Sequence, residues 1–386
     1  MLDIKRIKDD PEAVKAGLRA KEVDCDAAVD RILELDAQRR ALILSTETDK
    51  AEQNRVSKEI PKRKKAGEDV APIFERMAEL KAQIAQNDQK LTDVEAEYRT
   101  LMLSLPNLPD PDLKPGGKEN NEPLRYYGEP HHFDFEPKHH VDLCTDLGLI
   151  DYERGVKLSG SGHWIYRGKG AQLEWALLNF FVSEHLNDGY EFILPPLALG
   201  YNCGFGSGQF PKFKDEVYWV EDAEASDRTK MKFMLPTAET ALVNLYSGEM
   251  LKESELPKKL FAYTPCFRRA AGSAGRINRG MIRVHQFDKV ELGQILKPED
   301  SFRELEVLRG HAESILQKLG LHYRVIELCT GDLGFSSAKT YDIEVWAPGQ
   351  GQYLEVSSCS CFTDYQARRM RLRYKDADGR NQFPHT

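Results

Sequence analysis

Residues 26–105 form the stretch that most constrains the fold of this chain. They contain a single glycine, Gly67, and are rich in Ala, Glu, Lys, Gln and Leu. Two series of positions spaced by three and four residues predict a helical seam of period 3.5. The first series is Ile32, Leu35, Arg39, Leu42, Thr46, Asp49, Gln53, Val56 and Ile60; the second is Ile73, Met77, Leu80, Ile84, Asn87, Leu91, Val94, Tyr98, Leu101 and Leu105.

A segment that disfavours helix, PKRKKAGEDVAP, separates the two series. Pro61, Gly67 and Pro72 predict that the helix breaks there. The pattern therefore predicts an antiparallel helical hairpin, a coiled-coil arm of about 35 residues in each helix. At 1.5 Å per residue such an arm extends roughly 50 Å.

The end of this hairpin is basic, and we call its five cations the basic tip. They are Lys58, Lys62, Arg63, Lys64 and Lys65, with Glu59 as the acid between them. Two interpretations stay open from these residues alone. The basic tip is either a solvated helix end or a group that contacts nucleic-acid phosphates, which requires cations within reach and carries no sequence code.

Length and composition limit the class of protein to which this chain can belong. The chain has 386 residues, 41% hydrophobic and 30% charged, which is typical of a globular protein of one large or two ordinary domains. No apolar run approaches the roughly 20 residues that span a bilayer, and the N-terminus lacks the apolar segment of a signal peptide. We therefore expect a cytoplasmic protein without membrane partners. Its net charge of −8 leaves nucleic-acid binding to local basic patches.

The seven cysteines are scattered along the chain, which favours reduced thiols. Cys359-Ser-Cys361 is the one close pair, and its surroundings lack zinc-finger spacing, so a metal site there is disfavoured.

After a proline-rich linker at 105–123, the sequence becomes mixed. Strand-like runs such as KKLFAYTPCF and MIRVHQFDKVELG alternate irregularly with helical runs such as AQLEWALLNFFVSEHLND. Because helices do not follow every strand, we expect an α+β fold, a mostly antiparallel sheet with flanking helices. Neither of the common phosphate-loop motifs, GxxxxGK[ST] and GxGxxG, occurs.

The segment CFRRAAGSAGRINRGMIRVHQFDKVELG is rich in arginine and glycine. Glycines let a backbone approach a ligand, and arginine forks bind phosphate. The strand after the loop is expected to place Arg283, His285, Phe287, Lys289 and Glu291 on one face. Charges for phosphates beside a ring for a base predict a nucleotide site that begins near Arg268. An exposed strand is the alternative.

Two further stretches carry candidate site residues. Thr237, in LPTAET, follows a strand and is either a helix N-cap or a ligand-binding residue. Asp342, Glu344 and Glu355 lie on strand-like runs, with Ser357-Ser358 close behind. Carboxylates beside hydroxyls suit Mg²⁺ bound to phosphates, whereas solvated acids on a strand edge are the alternative.

Taken together, these segments resemble the bacterial-type seryl-tRNA synthetases, which are class II aminoacyl-tRNA synthetases. The likeness runs from MLDIKRIKDDPE to the final PHT and includes GSGQFPKF, LPTAET and TYDIEVWAPGQGQYLEVSSCSCFTDYQARR. It implies a class II antiparallel sheet preceded by a coiled-coil arm, in a homodimer. It further implies a tRNA-binding domain at 1–108 and a catalytic domain at 109–386. The implied partners are tRNA(Ser) and L-serine.

The resemblance also implies a role for each matching residue. Arg268 and Glu355 are the expected catalytic residues, Phe287 stacks on adenine, and Glu355 with Ser358 holds Mg²⁺. The expected ATP-binding set is Arg268, Arg269, Ala270, Arg283, Val284, Phe287, Glu355, Val356, Ser357 and Ser358. The expected serine-binding set is Thr237, Ala238, Glu239 and Glu291. The basic tip is the expected tRNA contact.

The implied reaction is ATP-dependent formation of seryl-adenylate followed by transfer of serine to tRNA(Ser). Two other possibilities are a relative that binds tRNA or a partner without aminoacylating, and one that charges a different carrier. The family's motif 2 glutamate is replaced by Ala270, and its Asp-Thr after the loop arginine by Ile277-Asn278. The sequence stops at Thr386, before the family's third motif, so we expect either a fragment or a variant, with exposed apolar surface where that motif would pack.

Overall fold

The computed structural model describes residues 1–221, 227–269 and 281–386. These residues divide into two compact units. One comprises residues 2–19 and 23–105; the other comprises Met1, residues 20–22 and residues 106–386. None of the described helices is both long enough and apolar enough to cross a membrane. The seven cysteines, all of which lie in the described ranges, are free thiols.

The first unit is helical and contains the predicted hairpin. Its helices are α1 (Ile4–Asp9), α2 (Pro11–Ala20), α3 (Asp26–Lys65) and α4 (Ala71–Ser104). Ion pairs between α3 and α4 include Arg31 with Glu97 and Arg76 with Glu52, which shows that the helices run antiparallel. The antiparallel arm predicted from the sequence is therefore confirmed.

The seam of the hairpin follows the heptad positions in part. The seam positions that are buried include Ile32, Leu35, Thr46, Val56, Ile73, Leu80 and Asn87. Asn87 donates a hydrogen bond from Nδ2 to Ser45 Oγ at 3.2 Å. Asn87 is buried and Ser45 is exposed. The bond gives the buried amide a partner, and a polar residue at a seam position favours a register in which it is satisfied.

The break between the two helices differs from the prediction at one position. α3 continues through Pro61 to Lys65, so the expectation that Pro61 breaks the helix is wrong. The turn comes at Gly67, whose φ of 71° is readily adopted by glycine, and Pro72 lies in the first turn of α4, where its missing N–H costs nothing. One proline near a helix end is tolerated because few backbone hydrogen bonds are lost there.

The second unit combines helices with short and long strands. Its helices are α5 (His140–Asp146), α6 (Tyr152–Ser159), α7 (Lys169–Asn187), α8 (Tyr201–Ser207), α9 (Glu239–Leu242), α10 (Ser301–Lys318) and α11 (Tyr365–Met370). Its strands are β1 (Glu122–Tyr127), β2 (Glu191–Ile193), β3 (Ala198–Gly200), β4 (Trp219–Val220), β5 (Lys232–Met234), β6 (Met250–Lys252), β7 (Lys258–Phe267), β8 (Gln286–Ile295), β9 (Tyr323–Glu327), β10 (Lys339–Ala347), β11 (Gln352–Cys361), β12 (Arg373–Lys375) and β13 (Asn381–Gln382).

The pairing of these strands is mostly antiparallel. The described strands form sheets in the orders β1-β9-β10-β11, β2-β7-β8, β3-β5-β4 and β13-β12-β6. Only the β2–β7 and β6–β12 pairs among them are parallel. The predicted α+β class, an antiparallel sheet with flanking helices, is confirmed.

Two apolar clusters support the strands that matter for function. Leu305 and Leu316 of α10 pack with Tyr323, Ile343 and Cys359 beneath the first sheet. A second cluster lies beneath β7 and the segment around residue 238; it contains Leu199, Tyr201, Phe210, Val217, Phe233, Leu235, Ala238, Ala241, Leu242, Leu260 and Ala262. Burying a large apolar side chain contributes about 1.5–3 kcal/mol, so these clusters fix the backbone on which polar side chains are displayed.

Candidate functional site

A cavity of about 970 Å³ opens in the second unit, lined by strands β8 and β11. Neither strand is paired along its other edge with another described strand. The predicted site residues that line the cavity are Thr237, Glu239, Arg268, Arg283, Val284, Phe287, Glu291, Glu355, Val356, Ser357 and Ser358. The fold therefore brings the candidate nucleotide and amino-acid residues together in one place.

Apolar side chains line part of the same cavity. Leu292 of β8, Leu305 and Leu308 of α10, and Leu354 of β11 contribute to its wall. Val356 is 55% exposed. A cavity of this size with a few convergent polar groups on an apolar wall is the usual architecture of a small-molecule site.

Arg268 lies just beyond the end of β7 and points into the cavity. Its backbone N–H donates to His285 O at 2.9 Å, and His285 Nδ1 is 3.1 Å from Arg268 O. Its Nε donates to Pro236 O at 3.2 Å, and its Cζ lies 5.2 Å from the centre of the Phe287 ring. The predicted phosphate cation and the predicted adenine platform are thus adjacent, with His285 holding the backbone of the arginine.

Not all of the other motif 2 positions share this arrangement. The Arg269 N–H donates to Glu216 O at 2.9 Å and its Nη1 to Asp215 O at 3.4 Å, so its guanidinium is engaged on that side. Ala270 lies outside the described residues, as do Arg276, Ile277, Asn278 and Arg279.

The strand after the loop begins later than the alternation predicts. β8 starts at Gln286, so Arg283 and His285 precede it, and the prediction that all five residues share one strand face is wrong for these two. Phe287, Lys289 and Glu291 do alternate along the strand, opposite Cys266, Thr264 and Ala262 of β7.

Thr237 is the centre of a polar cluster in the cavity. Its hydroxyl donates to Glu291 Oε2 at 2.7 Å and accepts from Lys289 Nζ at 2.7 Å. Lys289 also forms an ion pair with Glu291. The hydroxyl is 3.4 Å from the Glu239 N–H, a long contact, and Ala238 occupies the N-cap position of α9. The geometry thus favours the ligand-binding interpretation of Thr237 over the N-cap one.

Glu239 is held by a residue that the sequence analysis did not identify. Gln366 on α11 donates from Nε2 to Glu239 Oε1 at 2.7 Å and to Ser207 O at 3.0 Å. Thr386 Oγ1 donates to Gln366 Oε1 at 2.6 Å. Burial, and after it the charge of Glu291, raises the pKa of Glu239 to about 7, whereas Lys289 acts in the opposite direction. No motif spacing points to Gln366, because it follows Glu239 by more than a hundred residues.

The orientation of Glu355 and Ser358, which line the cavity, depends on a register shift in the β10–β11 ladder. Asp342 and Glu344 on β10 are not among the lining residues. Asp342 pairs with Ser358, and Ile343 with Ser357, but Glu344 pairs with Glu355, so Val356 is an extra residue. Asp342 and Glu344 are two residues apart and share a face of β10. Their partners Ser358 and Glu355 therefore also share a face, although they are three positions apart in the sequence. Without this bulge the two side chains would lie on opposite faces.

Two carboxyls of this region have raised pKa values. Burial, followed by the charge of Glu355, raises the pKa of Asp342 to about 7. Partial desolvation by neighbouring atoms raises the pKa of Glu355, although this residue keeps an exposed surface. Asp342 Oδ1 has no hydrogen-bond partner among the described residues, whereas Glu344 is bound by Arg324 Nε at 2.6 Å. Within the described ranges, no three His, Cys, Asp or Glu side chains form a metal-binding group.

The basic tip lies in the first unit and takes no part in the cavity. The side chains of Lys58 and Lys62 to Lys65 are exposed. Arg63 lies 3.9 Å from Glu59 and 3.6 Å from Glu68. Such exposed pairs contribute little to stability, so the cations remain available to an anionic ligand.

The raised pKa of Asp342 generates a test by pH. Its ordinary value is 3.8 and its value in the fold is about 7, so the fold favours the protonated form. The contribution of protonated Asp342 to the free energy of unfolding is fully present below pH 3.8. It is lost as the pH rises through 7, because the folded chain must then carry the ionised carboxylate. We expect Asp342→Asn to be more stable relative to the unmodified chain at pH 8 than at pH 4, by about 2–4 kcal/mol in unfolding free energy.

Urea unfolding at the two pH values measures this difference. Asp134→Asn, at an exposed aspartate, is the control and should show no pH-dependent gain. Equal effects of the two substitutions at both pH values would contradict the assignment.

Known protein families and relatives match this chain along its length. Residues 1–109 match the family "Seryl-tRNA synthetase N-terminal domain", and residues 218–386 match "tRNA synthetase class II core domain (G, H, P, S and T)". A protein of Akkermansia muciniphila named Serine--tRNA ligase is 55% identical, covering 100% of this chain and 89% of the relative. Serine--tRNA ligase 2 of Clostridium acetobutylicum is 51% identical, covering 97% of this chain and 88% of the relative.

Solved structures agree with these relatives. The seryl-tRNA synthetase of Pyrococcus horikoshii complexed with ATP superposes with a TM-score of 0.92 at 33% identity, covering 100% of this chain and 90% of that one. The cytoplasmic serine-tRNA ligase of Naegleria fowleri in complex with AMP gives a TM-score of 0.83 at 27% identity, covering 97% and 86%. Two family models match this chain, a serine--tRNA ligase is 55% identical to it over its full length, and a solved seryl-tRNA synthetase has the same fold. This chain therefore belongs to the seryl-tRNA synthetases.

Proposed function

We propose that this chain is a serine--tRNA ligase, which activates L-serine with ATP and transfers the seryl group to tRNA(Ser). The observation that carries the proposal is the cavity between β8 and β11. It joins Arg268 and Phe287, suited to a nucleotide, to Thr237, Glu239 and Glu291, suited to an ammonium group and a hydroxyl. Solved relatives bound to ATP and to AMP add support for a nucleotide in this fold.

Activation in such a site requires positioning and charge rather than proton transfer. The carboxylate of serine is already ionised at neutral pH, so no general base is needed for its attack on the α-phosphorus of ATP. Arg268 can stabilise negative charge on the phosphorus centre, and Phe287 can place the base. The products are seryl-adenylate and pyrophosphate. A ribose hydroxyl of the tRNA end then attacks the activated carbonyl and releases AMP.

Mg²⁺ is the expected metal, and the oxygen donors present fit it. The bulge at Val356 places Glu355 and Ser358 on one face, next to the partly unsatisfied Asp342. Carboxylate and hydroxyl oxygens are hard ligands of the kind that Mg²⁺ prefers alongside phosphates. When bound, the ion would neutralise charge on the phosphates of ATP. Glu355 and Ser358 would hold it from the protein side.

Selectivity for serine follows from the polarity of the pocket. Thr237 and Glu291 present hydrogen-bonding groups near the Glu239 carboxyl. A ligand without a hydroxyl, such as alanine, would leave polar groups of the pocket unpaired, which is a costly arrangement. Sites built this way can discriminate strongly against the analogue that lacks the polar group.

The first test of this function is serine-dependent exchange of pyrophosphate into ATP. We expect exchange with L-serine and far less with L-alanine. Arg268→Ala should lower kcat/KM by about 10²- to 10³-fold because it removes a transition-state charge contact. Arg303→Ala, at an exposed arginine of α10, is the matched control and should leave exchange unchanged. Absence of exchange in the unmodified chain would favour a relative that binds without aminoacylating.

We assign residues 1–108, which include the first unit, to a tRNA-binding domain. Residues 109–386 would form the catalytic domain. The basic tip concentrates exposed cations at the turn of the α3–α4 hairpin. Cations of this kind bind the RNA backbone by charge and shape rather than by reading base edges.

Replacing Lys62, Arg63, Lys64 and Lys65 together by alanine tests this role. Aminoacylation of tRNA should fall by about 10- to 100-fold in kcat/KM at low salt, with a weaker salt dependence, because phosphate contacts are lost. Exchange of pyrophosphate, which does not need tRNA, should be unchanged. Lys81→Ala with Lys90→Ala, elsewhere on the same arm, is the control. A loss of exchange and charging in parallel would argue for a structural effect instead.

The catalytic unit also carries an unusually apolar surface over residues 147–194. Its exposed large hydrophobic side chains are Leu147, Tyr152, Leu158, Tyr166, Leu173, Trp175, Leu186, Phe192 and Leu194. Many large apolar side chains exposed within one stretch of chain are typical of a segment that contributes to an interface. We assign it to a homodimer contact. The free thiols agree with a cytoplasmic protein.

Light scattering after size exclusion tests the dimer. The unmodified chain should have twice the 44.0 kDa mass of one chain. Leu194→Asp, at a residue that is 72% exposed, should shift the mass toward the monomer because it places a charge in an apolar interface. Leu44→Asp, at a leucine of α3 that is 67% exposed, should leave the dimer intact. A monomeric unmodified chain would refute the assignment.

A further inference from the structure

Lys289 occupies the part of the cavity that the proposed function gives to the substrate. Its Nζ donates to Thr237 Oγ1 at 2.7 Å and pairs with Glu291 Oε2. The Thr237 hydroxyl in turn donates to the same carboxylate oxygen at 2.7 Å. Lys289, Thr237 and Glu291 thus form a ring of three polar contacts. The positively charged group in this ring is the ammonium of Lys289.

The acceptors of this ring are the ones expected to bind an amino acid. An ammonium donates to hydroxyl and carboxylate oxygens, and Thr237 and Glu291 offer both within reach of Glu239. The ammonium of Lys289 and that of an α-amino acid have the same charge and donors of the same type. The two groups therefore compete for the same oxygens, and both cannot use them fully at once.

The charge balance of the pocket explains why a lysine stands there. Glu291 is close enough for its charge to raise the pKa of Glu239, and Glu239 is held in place by Gln366. Two poorly solvated carboxylates without a cation are costly. Among the described residues, Lys289 and Arg268 are cations whose charge acts on Glu239, and Lys289 forms an ion pair with Glu291.

We propose that Lys289 fills the substrate's ammonium position in the ligand-free chain, and that an amine ligand binds by displacing it. This inference rests on the proposed function, since that function places the ammonium of serine at Thr237, Glu239 and Glu291. Lysine has a flexible four-carbon stem, and the Lys289 side chain is about one-third exposed toward the cavity. Its ammonium can leave the ring without a change in the strand.

Displacement has a thermodynamic consequence that can be measured. The binding-competent pocket is the one from which Lys289 has left, so the apparent affinity for an amine is lowered by the fraction of the chain in that state. The ligand's ammonium then takes over the role of counter-ion to both glutamates, and the charge of the pocket is conserved. Lys289 acts as a positioning and affinity-setting residue rather than a catalytic one.

Ethanolamine is the diagnostic probe, because it has the ammonium and the hydroxyl of serine but no carboxylate. Its dissociation constant is measured by titration calorimetry for the unmodified chain, Lys289→Met and the control Lys232→Met, at an exposed lysine of β5. We expect ethanolamine to bind Lys289→Met about 10-fold more tightly, the effect of removing a charged competitor from the site. Lys232→Met should bind as the unmodified chain does.

Titration with L-serine separates the competing explanations. Weaker binding of serine to Lys289→Met with unchanged binding of ethanolamine would make Lys289 a ligand of the substrate carboxylate and overturn the proposal. Weaker binding of both ligands would show that the lysine's charge is needed in the complex, and would overturn it too. If Lys289→Met does not fold, Lys289→Gln serves in its place.

A structure of the unmodified chain with ethanolamine needs no variant. The Lys289 Nζ should then lie beyond hydrogen-bond distance from Thr237 Oγ1, and retention of that hydrogen bond would overturn the inference. Failure of the proposed function is distinguished by pyrophosphate exchange. A chain that exchanges with serine but keeps Lys289 in the ring refutes only the displacement, whereas a chain without exchange refutes the function itself.

Discussion

The hydrogen-bonded ladder between β7 and β8 is the interaction on which the site depends. Ten residues of each strand pair without interruption, from Lys258 with Ile295 to Phe267 with Gln286. The ladder brings Arg268 and His285 opposite each other just past its end and displays Phe287, Lys289 and Glu291 along one face. Apolar residues beneath β7 fix this geometry, so the charged groups are positioned by burial elsewhere.

The cavity contains a cationic region, suited to phosphates, and acidic regions, suited to cations. Arg268 faces the region suited to phosphates, while Glu239, Glu291 and Glu355 line the acidic parts of the cavity. The pKa values of Glu239 and Glu355 are raised, as is that of Asp342 next to Ser358. Clustering acids in poorly solvated surroundings is costly unless a cation joins them. An ammonium group would meet this need on the Thr237 side, and a metal ion on phosphates would meet it on the β11 side.

Much of the architecture could be predicted from local patterns. The heptad spacing predicted the helical hairpin, because a stripe of apolar residues has few other ways to be buried. The prediction failed at Pro61, where the cost of one lost hydrogen bond is small against a helix already held by its partner. Alternation along the strand after the loop was right for Phe287 and Glu291 and wrong for Arg283, because alternation does not mark where a strand begins.

The sequence by itself determined which chemical groups the chain could offer: arginines beside glycines, acids beside serines, and a basic turn between two helices. The tertiary structure decided which of them meet. The bulge at Val356 turns Glu355 and Ser358 to one face, although their spacing alone would place them on opposite faces. Gln366 reaches Glu239 from a helix far along the chain. Both outcomes depend on the register and packing of distant segments, which no local pattern encodes.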